Sequence, residues 1–339
     1  MSSTATRSAS SRTGSLLWPI LGLAALLAGN WIFSPGFFHL EMRDGHVYGT
    51  LIDILNQGAK VMLLSLGMTL VIATGGVDLS VGSVMAIAGA VAASAVSRGL
   101  MPFGLVVAMS LALSALAGLM NGCLVVYARL QPIIATLILM VAGRGAAMLI
   151  TDGQILTFEN PAFVFLGNGH FLALPFTITL VVLALALTGW AMRRTALGLF
   201  LESIGDNERA ARFCGVETSR VKLFVYAFSG ACAGLAGLVA ASNIKAADSS
   251  RVGEMLELDA ILAVVVGGTT LTGGRFSLIG SILGALIIQT LTTTLYNLGL
   301  PPAVAPVPKA IVILAVCLLQ SPQFRECMSW KSSQPKASG

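Results

Sequence analysis

Residues 75–83 read Gly-Gly-Val-Asp-Leu-Ser-Val-Gly-Ser, GGVDLSVGS. The apolar run MLLSLGMTLVIAT precedes them and VMAIAGAVAASAV follows. Glycine at this density ends a helix, because it loses the most conformational freedom on folding. A broken backbone between two such runs survives in a bilayer only where protein or water satisfies the freed polar groups. Asp78 is costly near hydrocarbon, so it is expected to face the bundle interior or a cavity. It also has the chemistry of an N-cap for the following helix. The stretch therefore has two compatible readings, a helix cap and a pathway or gate element, and Gly75, Gly76, Asp78 and Ser80 are its candidate residues.

The rest of the chain places this break in a membrane. Of 339 residues, 56% are hydrophobic and 10% charged, against about 25% charged in soluble domains. Apolar stretches cover 16–34, 51–74, 80–97, 103–128, 132–151, 174–192, 221–243, 256–272, 277–297 and 303–320, and a span needs about 20 residues to cross roughly 30 Å of hydrocarbon. The fold class is an all-α polytopic membrane bundle of about ten spans (8–10). Continuous rather than alternating apolar runs exclude a transmembrane barrel. Residues 1–15 form an N-terminal tail, 16–320 the transmembrane domain and 321–339 a C-terminal tail. A cleaved signal peptide is disfavoured: the run at 16–34 is long, holds Trp18-Pro19 and Asn30-Trp31, and lacks a small-residue cleavage site.

With the N-terminus inside, thirteen of the twenty Lys and Arg fall on cytoplasmic segments and seven on outer segments or span interiors. That asymmetry predicts cytoplasmic tails at both ends. The net charge of +5 forms no stripe with interleaved aromatics, so nucleic acid is not a partner. Five scattered cysteines without a CxxC pair give neither a disulfide framework nor a metal site. No phosphate loop, HExxH or GxSxG is present, and His39, His46 and His170 read as unpaired outer-loop residues. Gly118/Gly122, Gly230/Gly234 and Gly280/Gly284 predict faces where helix backbones approach closely.

Three further stretches carry polar chemistry. Gly267-Gly268-Thr269-Thr270-Leu271-Thr272-Gly273-Gly274 repeats the pattern GGxxL[ST]xG of residues 75–82, at an offset of 192. It predicts a second broken helix and a two-fold internal repeat, with Gly267, Gly268, Gly273 and Gly274 as pathway candidates. Arg144 in LMVAGRGAAML, Asn121 in GLMNG, and Glu257 and Asp259 in ELDAI are intramembrane polar groups. Arg144 is expected to snorkel outward or pair with an acid, Asn121 to hydrogen-bond across helices, and the two acids to line an entrance, contact an outer partner or match a helix dipole. The loop 193–220, RRTALGLFLESIGDNERAARFCGVETSR, holds a short helix at 207–213, with Asp206 as its cap and Gly215 as its end. Ala210 and Ala211 give it a small surface, so it reads either as a peg for a cytoplasmic partner or as a basic topology anchor.

These motifs in combination resemble the permease subunits of bacterial ABC sugar importers of the ribose-type branch, over residues 50–320. Gly273-Gly274-Arg275-Phe276 departs from the GGxG usual there and is similar to the galactofuranose-type members. The resemblance implies an importer with partner ATP-binding subunits, a second permease that is a paralogue rather than a copy, and a periplasmic sugar-binding protein. It implies a bacterial inner-membrane location, no cofactor bound by this chain, ATP used only by the partner, and a monosaccharide as substrate. It further implies that Gly205, Asp206, Asn207, Ala210, Ala211 and Gly215 form the helix that docks on the ATPase, and that GGVDLS lies at the translocation core. An ion-gradient transporter, for which Asp53 and Asp78 are the coupling candidates, and an importer of ribose or another sugar are the alternatives.

Overall fold

The computed structural model describes residues 10–33, 36–43, 45–99 and 101–320. The C-terminal tail 321–339 and the first part of the N-terminal tail lie outside the described residues. In chain order the elements are α1 (Ser10–Phe33), β1 (Glu41–Arg43), β2 (His46–Tyr48), α2 (Thr50–Ala73), α3 (Val81–Ser97), α4 (Phe103–Val126) and α5 (Pro132–Ile150). There follow β3 (Leu156–Thr157), α6 (Pro161–Asn168), β4 (His170–Phe171), β5 (Leu174–Pro175), α7 (Phe176–Arg194) and α8 (Leu197–Phe213). The chain closes with α9 (Thr218–Ile244), β6 (Ala246–Ala247), α10 (Leu256–Val266), α11 (Leu278–Asn297) and α12 (Pro306–Gln320). β1–β2, β3–β6 and β4–β5 are short antiparallel pairs.

Among the described residues six helices, α2, α4, α5, α7, α9 and α11, are long and apolar enough to cross a membrane. α2 and α9 are central: 78% and 67% of their apolar windows are buried, against 17% for α7. An apolar helix with no polar face is a core helix, and α2 is lined on every side by buried residues from Ala59 to Ala73 apart from Lys60.

Small residues set how closely the helices pack. A Cβ on Gly118 would strike the Tyr226 carbonyl, and one on Gly230 the Ser114 carbonyl, with Gly118 Cα 3.1 Å away. The glycine faces of α4 and α9 thus meet each other, antiparallel. Gly280 and Gly284 of α11 lie in the same way against Gly267 and Ala263 of α10. Without a hydrophobic force between helices in lipid, such backbone contact supplies the dispersion that holds them.

The structure corrects four expectations. α10 has 11 residues, about 16 Å at 1.5 Å per residue, and stops at Val266, so 256–272 is not one span. α1 begins at Ser10, inside the stretch read as a tail. α6 lies between the apolar stretches 132–151 and 174–192, where no helix was expected. Its Asn160 side chain accepts a hydrogen bond from Phe163 N–H at 3.2 Å, with Pro161 at the first position, where no N–H is needed. The loop 193–220 is mostly helix, as α8.

Candidate functional site

The first glycine turn joins α2 to α3. Thr74, Gly75 and Gly76 close α2 with N–H bonds to the carbonyls of Val71 and Ile72 at 2.8–3.1 Å, and Gly75 takes φ +78°. Asp78 is 1% exposed. Its Oδ1 accepts from Ser80 N–H at 3.1 Å and Ser80 O–H at 2.6 Å, and its Oδ2 accepts from the Ser229 hydroxyl of α9 at 2.8 Å. Asn121 of α4 donates to Ser80 Oγ at 2.8 Å. Asn121, Ser80, Asp78 and Ser229 therefore form one buried chain that ties the turn to α4 and α9. Asp78 does not cap α3, which begins at Val81; it closes its own turn two residues on and reaches across to α9. Tyr226 stands beside it, with its hydroxyl 2.7 Å from where a Cβ on Gly76 would lie. Ser229 and Tyr226 escaped the sequence reading, although their spacing of three puts two polar groups on one face of an apolar span.

The second turn joins α10 to α11. Gly268, Gly273 and Gly274 have φ of 86–89°. Thr270 donates to Gly273 O at 3.1 Å, and Thr269 Oγ1 accepts from Ser277 N–H at 3.3 Å. The two turns touch. Gly274 N–H donates to Ala73 O at 3.0 Å, and a Cβ on Gly273 would sit 3.1 Å from Gly75 Cα and 3.1 Å from Gly205 Cα. A Cβ on Gly205 would collide with Gly274 N and Ala73 O. Gly75, Gly273, Gly274 and Gly205 thus converge on one spot, while Gly267 faces Gly280 of α11.

α8 is two helical pieces. Asn207 breaks it with φ −159° and ψ 97°. Leu201 and Ile204 of the first piece are buried, at 1% and 2% exposed, against Leu70, Val71 and Val225. The second piece is capped by Asn207, whose Oδ1 accepts from Ala210 N–H at 3.1 Å. The predicted cap was Asp206; a cap residue needs extended backbone, which Asn207 adopts and Asp206 does not. Gly215 (φ +87°) ends the helix, with N–H bonds from Gly215 to Arg212 O and from Val216 to Ala211 O, both 3.0 Å, a Schellman motif. Ala211 is buried and Ala210 exposed, so the expected two-alanine surface is one alanine wide. Phe213 is 93% exposed. Glu208 pins the piece to α9 by accepting from Lys222 at 2.7 Å, and it accepts from Arg212 of its own piece at the same distance. Partial burial opposes its charge, but those two cations more than offset it, and its carboxyl titrates below the usual glutamate range.

The remaining polar residues do not join this cluster. Among the described residues Arg144 donates to the carbonyls of Val252 and Ser249 and forms no salt bridge with an acid, so the expected ion pair is replaced by backbone contacts. Glu257 is 9% exposed, its Oε2 has no hydrogen-bond partner among the described residues, and it lies over Gly82. Asp259 stands with Glu257 in the first turn of α10, matching the helix dipole, and accepts from Lys309 of α12 at 2.6 Å. His46 and His170 are not unpaired, because their rings stack with centroids 4.2 Å apart. Thr151, Gln154, Asp248, Ser249 and Arg251 line a groove of about 450 Å³ at the end of the bundle away from α8.

The site is thus two glycine turns of a membrane helical bundle gathered under a kinked, capped helix. The chain belongs to the family described as branched-chain amino acid transport system / permease component, whose model matches residues 50–318. It is 47% identical to the galactofuranose transporter permease protein YtfT of Escherichia coli, over 94% of this chain and 95% of that protein. It is 39% identical to the fructose import permease protein FruF of Bifidobacterium longum, over 92% of this chain and 89% of that one. It is 38% identical to the ribose import permease protein RbsC of Bacillus subtilis, over 89% and 92%. No solved structure matches it significantly.

Proposed function

We infer that this chain is a permease subunit of an ATP-driven importer that carries a monosaccharide of galactofuranose type across the bacterial inner membrane. The observation that carries the reading is the second piece of α8. It is capped at both ends, pinned to α9 through Glu208, and presents Phe213 outward at 93% exposure. A rigid two-turn segment with one exposed aromatic suits a partner that buries an anchor residue. ATP-binding subunits are that partner, and they hydrolyse the nucleotide; this chain binds no cofactor and makes or breaks no bond. The α8 end of the bundle faces the cytoplasm, with both chain termini. Eight to ten passages through the bilayer complete the topology, with the two glycine turns as matching elements of two related halves.

A periplasmic sugar-binding protein delivers its sugar at the opposite end, where the groove at Thr151 and Ser249 opens. A second permease, a paralogue, forms the other wall of the path. The sugar choice rests on the 47% identity to the galactofuranose permease, against 38% for a ribose permease. Uptake of labelled galactose, which includes a small furanose fraction, is compared with ribose and arabinose in cells lacking other uptake systems. Gene-dependent galactose accumulation with little competition from ribose is expected. Accumulation of ribose or arabinose instead would keep the permease and overturn the sugar.

A further inference from the structure

The first piece of α8 meets both glycine turns at one shared backbone contact, Gly205. No side chain lies between Gly205 and Ala73 or Gly274, because a single Cβ there would strike Ala73 O and Gly274 N. The two turns are themselves hydrogen-bonded, Gly274 N–H to Ala73 O at 3.0 Å. Asp206 adds a lid, its Oδ1 standing 2.5 Å from where a Cβ on Gly274 would be. On its other face the same piece is anchored by Leu201 and Ile204 in the apolar cluster with Leu70 and Val71 at the end of α2. Side chains absorb small displacements by changing rotamer; close-packed backbone does not.

We propose that Gly205 is a positioning residue that makes α8 a clamp on both glycine turns, so that movement of α8 releases 73–76 and 272–274 together. The first of these turns leads into Asp78, whose hydrogen bonds reach α4 and α9. Loosening it therefore frees the end of the central helix α2 from its neighbours. Either turn could be moved alone if side chains such as Asp206 were its only contact with α8. The shared glycine contact prevents that, and it gives one element control of two breaks that are 192 residues apart in sequence.

The inference rests on the reading that partner ATPases drive this chain, and the test separates the two. The complex with its ATP-binding subunits is placed in lipid nanodiscs, and amide exchange is followed over residues 70–80, 200–206 and 270–278 with and without a non-hydrolysable ATP analogue. All three segments are expected to change exchange together. Independent change, or change in one turn only, would overturn the clamp. Gly205→Ala is then reconstituted in liposomes. It is expected to carry about tenfold less sugar per ATP hydrolysed than the unaltered complex, a size usual for coupling between sites. A wild-type yield of sugar per ATP from this variant would sink the proposal. If the variant does not fold, the exchange experiment on the unaltered complex decides alone. Failure of the wild-type chain to retain any ATP-binding subunit would remove the permease reading itself and the clamp with it.

Discussion

Substitutions that remove one, or all, of the bonds to Asp78 should lower stability in a fixed order. Ser229→Ala deletes the donor to Asp78 Oδ2, a bond of 2.8 Å, and leaves a fully buried acceptor without its partner from α9. Leaving such a group unsatisfied costs about 1–3 kcal/mol. Asp78→Leu removes all three accepted bonds and adds an apolar side chain to a turn, though the serine hydroxyls can turn to nearby carbonyls, so about 3–5 kcal/mol is expected. Asp78→Asn keeps the shape and one acceptor oxygen, and its amide can donate to Ser229, so its loss should stay below about 1 kcal/mol. For a chain of this size each kcal/mol moves the midpoint by roughly 2 °C. Thermal unfolding in detergent should then rank Asp78→Leu lowest, Ser229→Ala about 2–6 °C below wild type, and Asp78→Asn near wild type. Equal midpoints for all three would refute the network as a structural tie. A normal midpoint for Asp78→Asn with abolished uptake would show that the pathway uses the acid's charge.

Other perturbations bear on separate contacts. Gly230→Leu should push α4 from α9, because a Cβ there already strikes the Ser114 carbonyl; a loss of about 3 kcal/mol or more is expected, while Gly189→Ala, with open space around it, should leave the detergent melting midpoint unchanged. Lys309→Met leaves Asp259 without its 2.6 Å partner and should cost about 3–5 kcal/mol by the same measurement, largely restored by adding Asp259→Leu. Phe213→Ala should weaken recovery of the ATP-binding subunits in a pull-down, with membrane insertion intact. Glu208 has its pKa lowered in the folded chain, so its ties to Lys222 and Arg212 hold above the ordinary glutamate pKa and weaken as pH falls through the lower folded value. Amide protection of 208–213 should therefore drop only below the ordinary glutamate pKa of about 4.3, and in Glu208→Gln it should be low and independent of pH.

Much of the fold was readable because the bilayer allows few solutions. Runs of apolar residues near 20 in number become helices there, and α2, α4, α5, α7, α9 and α11 lie where the runs do. The glycine pairs of α4, α9 and α11 announced close packing because only a missing side chain lets backbones approach so nearly. Both glycine turns were visible for the same local reason. α6 could have been found from Asn160-Pro161, a cap and a first-turn proline side by side. The first piece of α8 could have been found from Leu197, Leu201 and Ile204, one face of a helix hidden in a basic loop.

Which polar groups meet was decided by the tertiary structure. Asp78 with Ser229, Asn121 with Ser80, and Asp259 with Lys309 are pairs 151, 41 and 50 residues apart. A lone serine in an apolar span gives no sign of its partner, because any of several helix faces could receive it. The cap passed from Asp206 to Asn207 because the anchoring of Leu201 and Ile204 keeps the helix going one residue further. Composition and spacing determined that this chain is a membrane bundle broken at two glycine-rich points. Only the folding of α8 back over α2 and α11 brought those two points under one glycine, since that contact depends on backbone proximity and on no property that a residue carries alone.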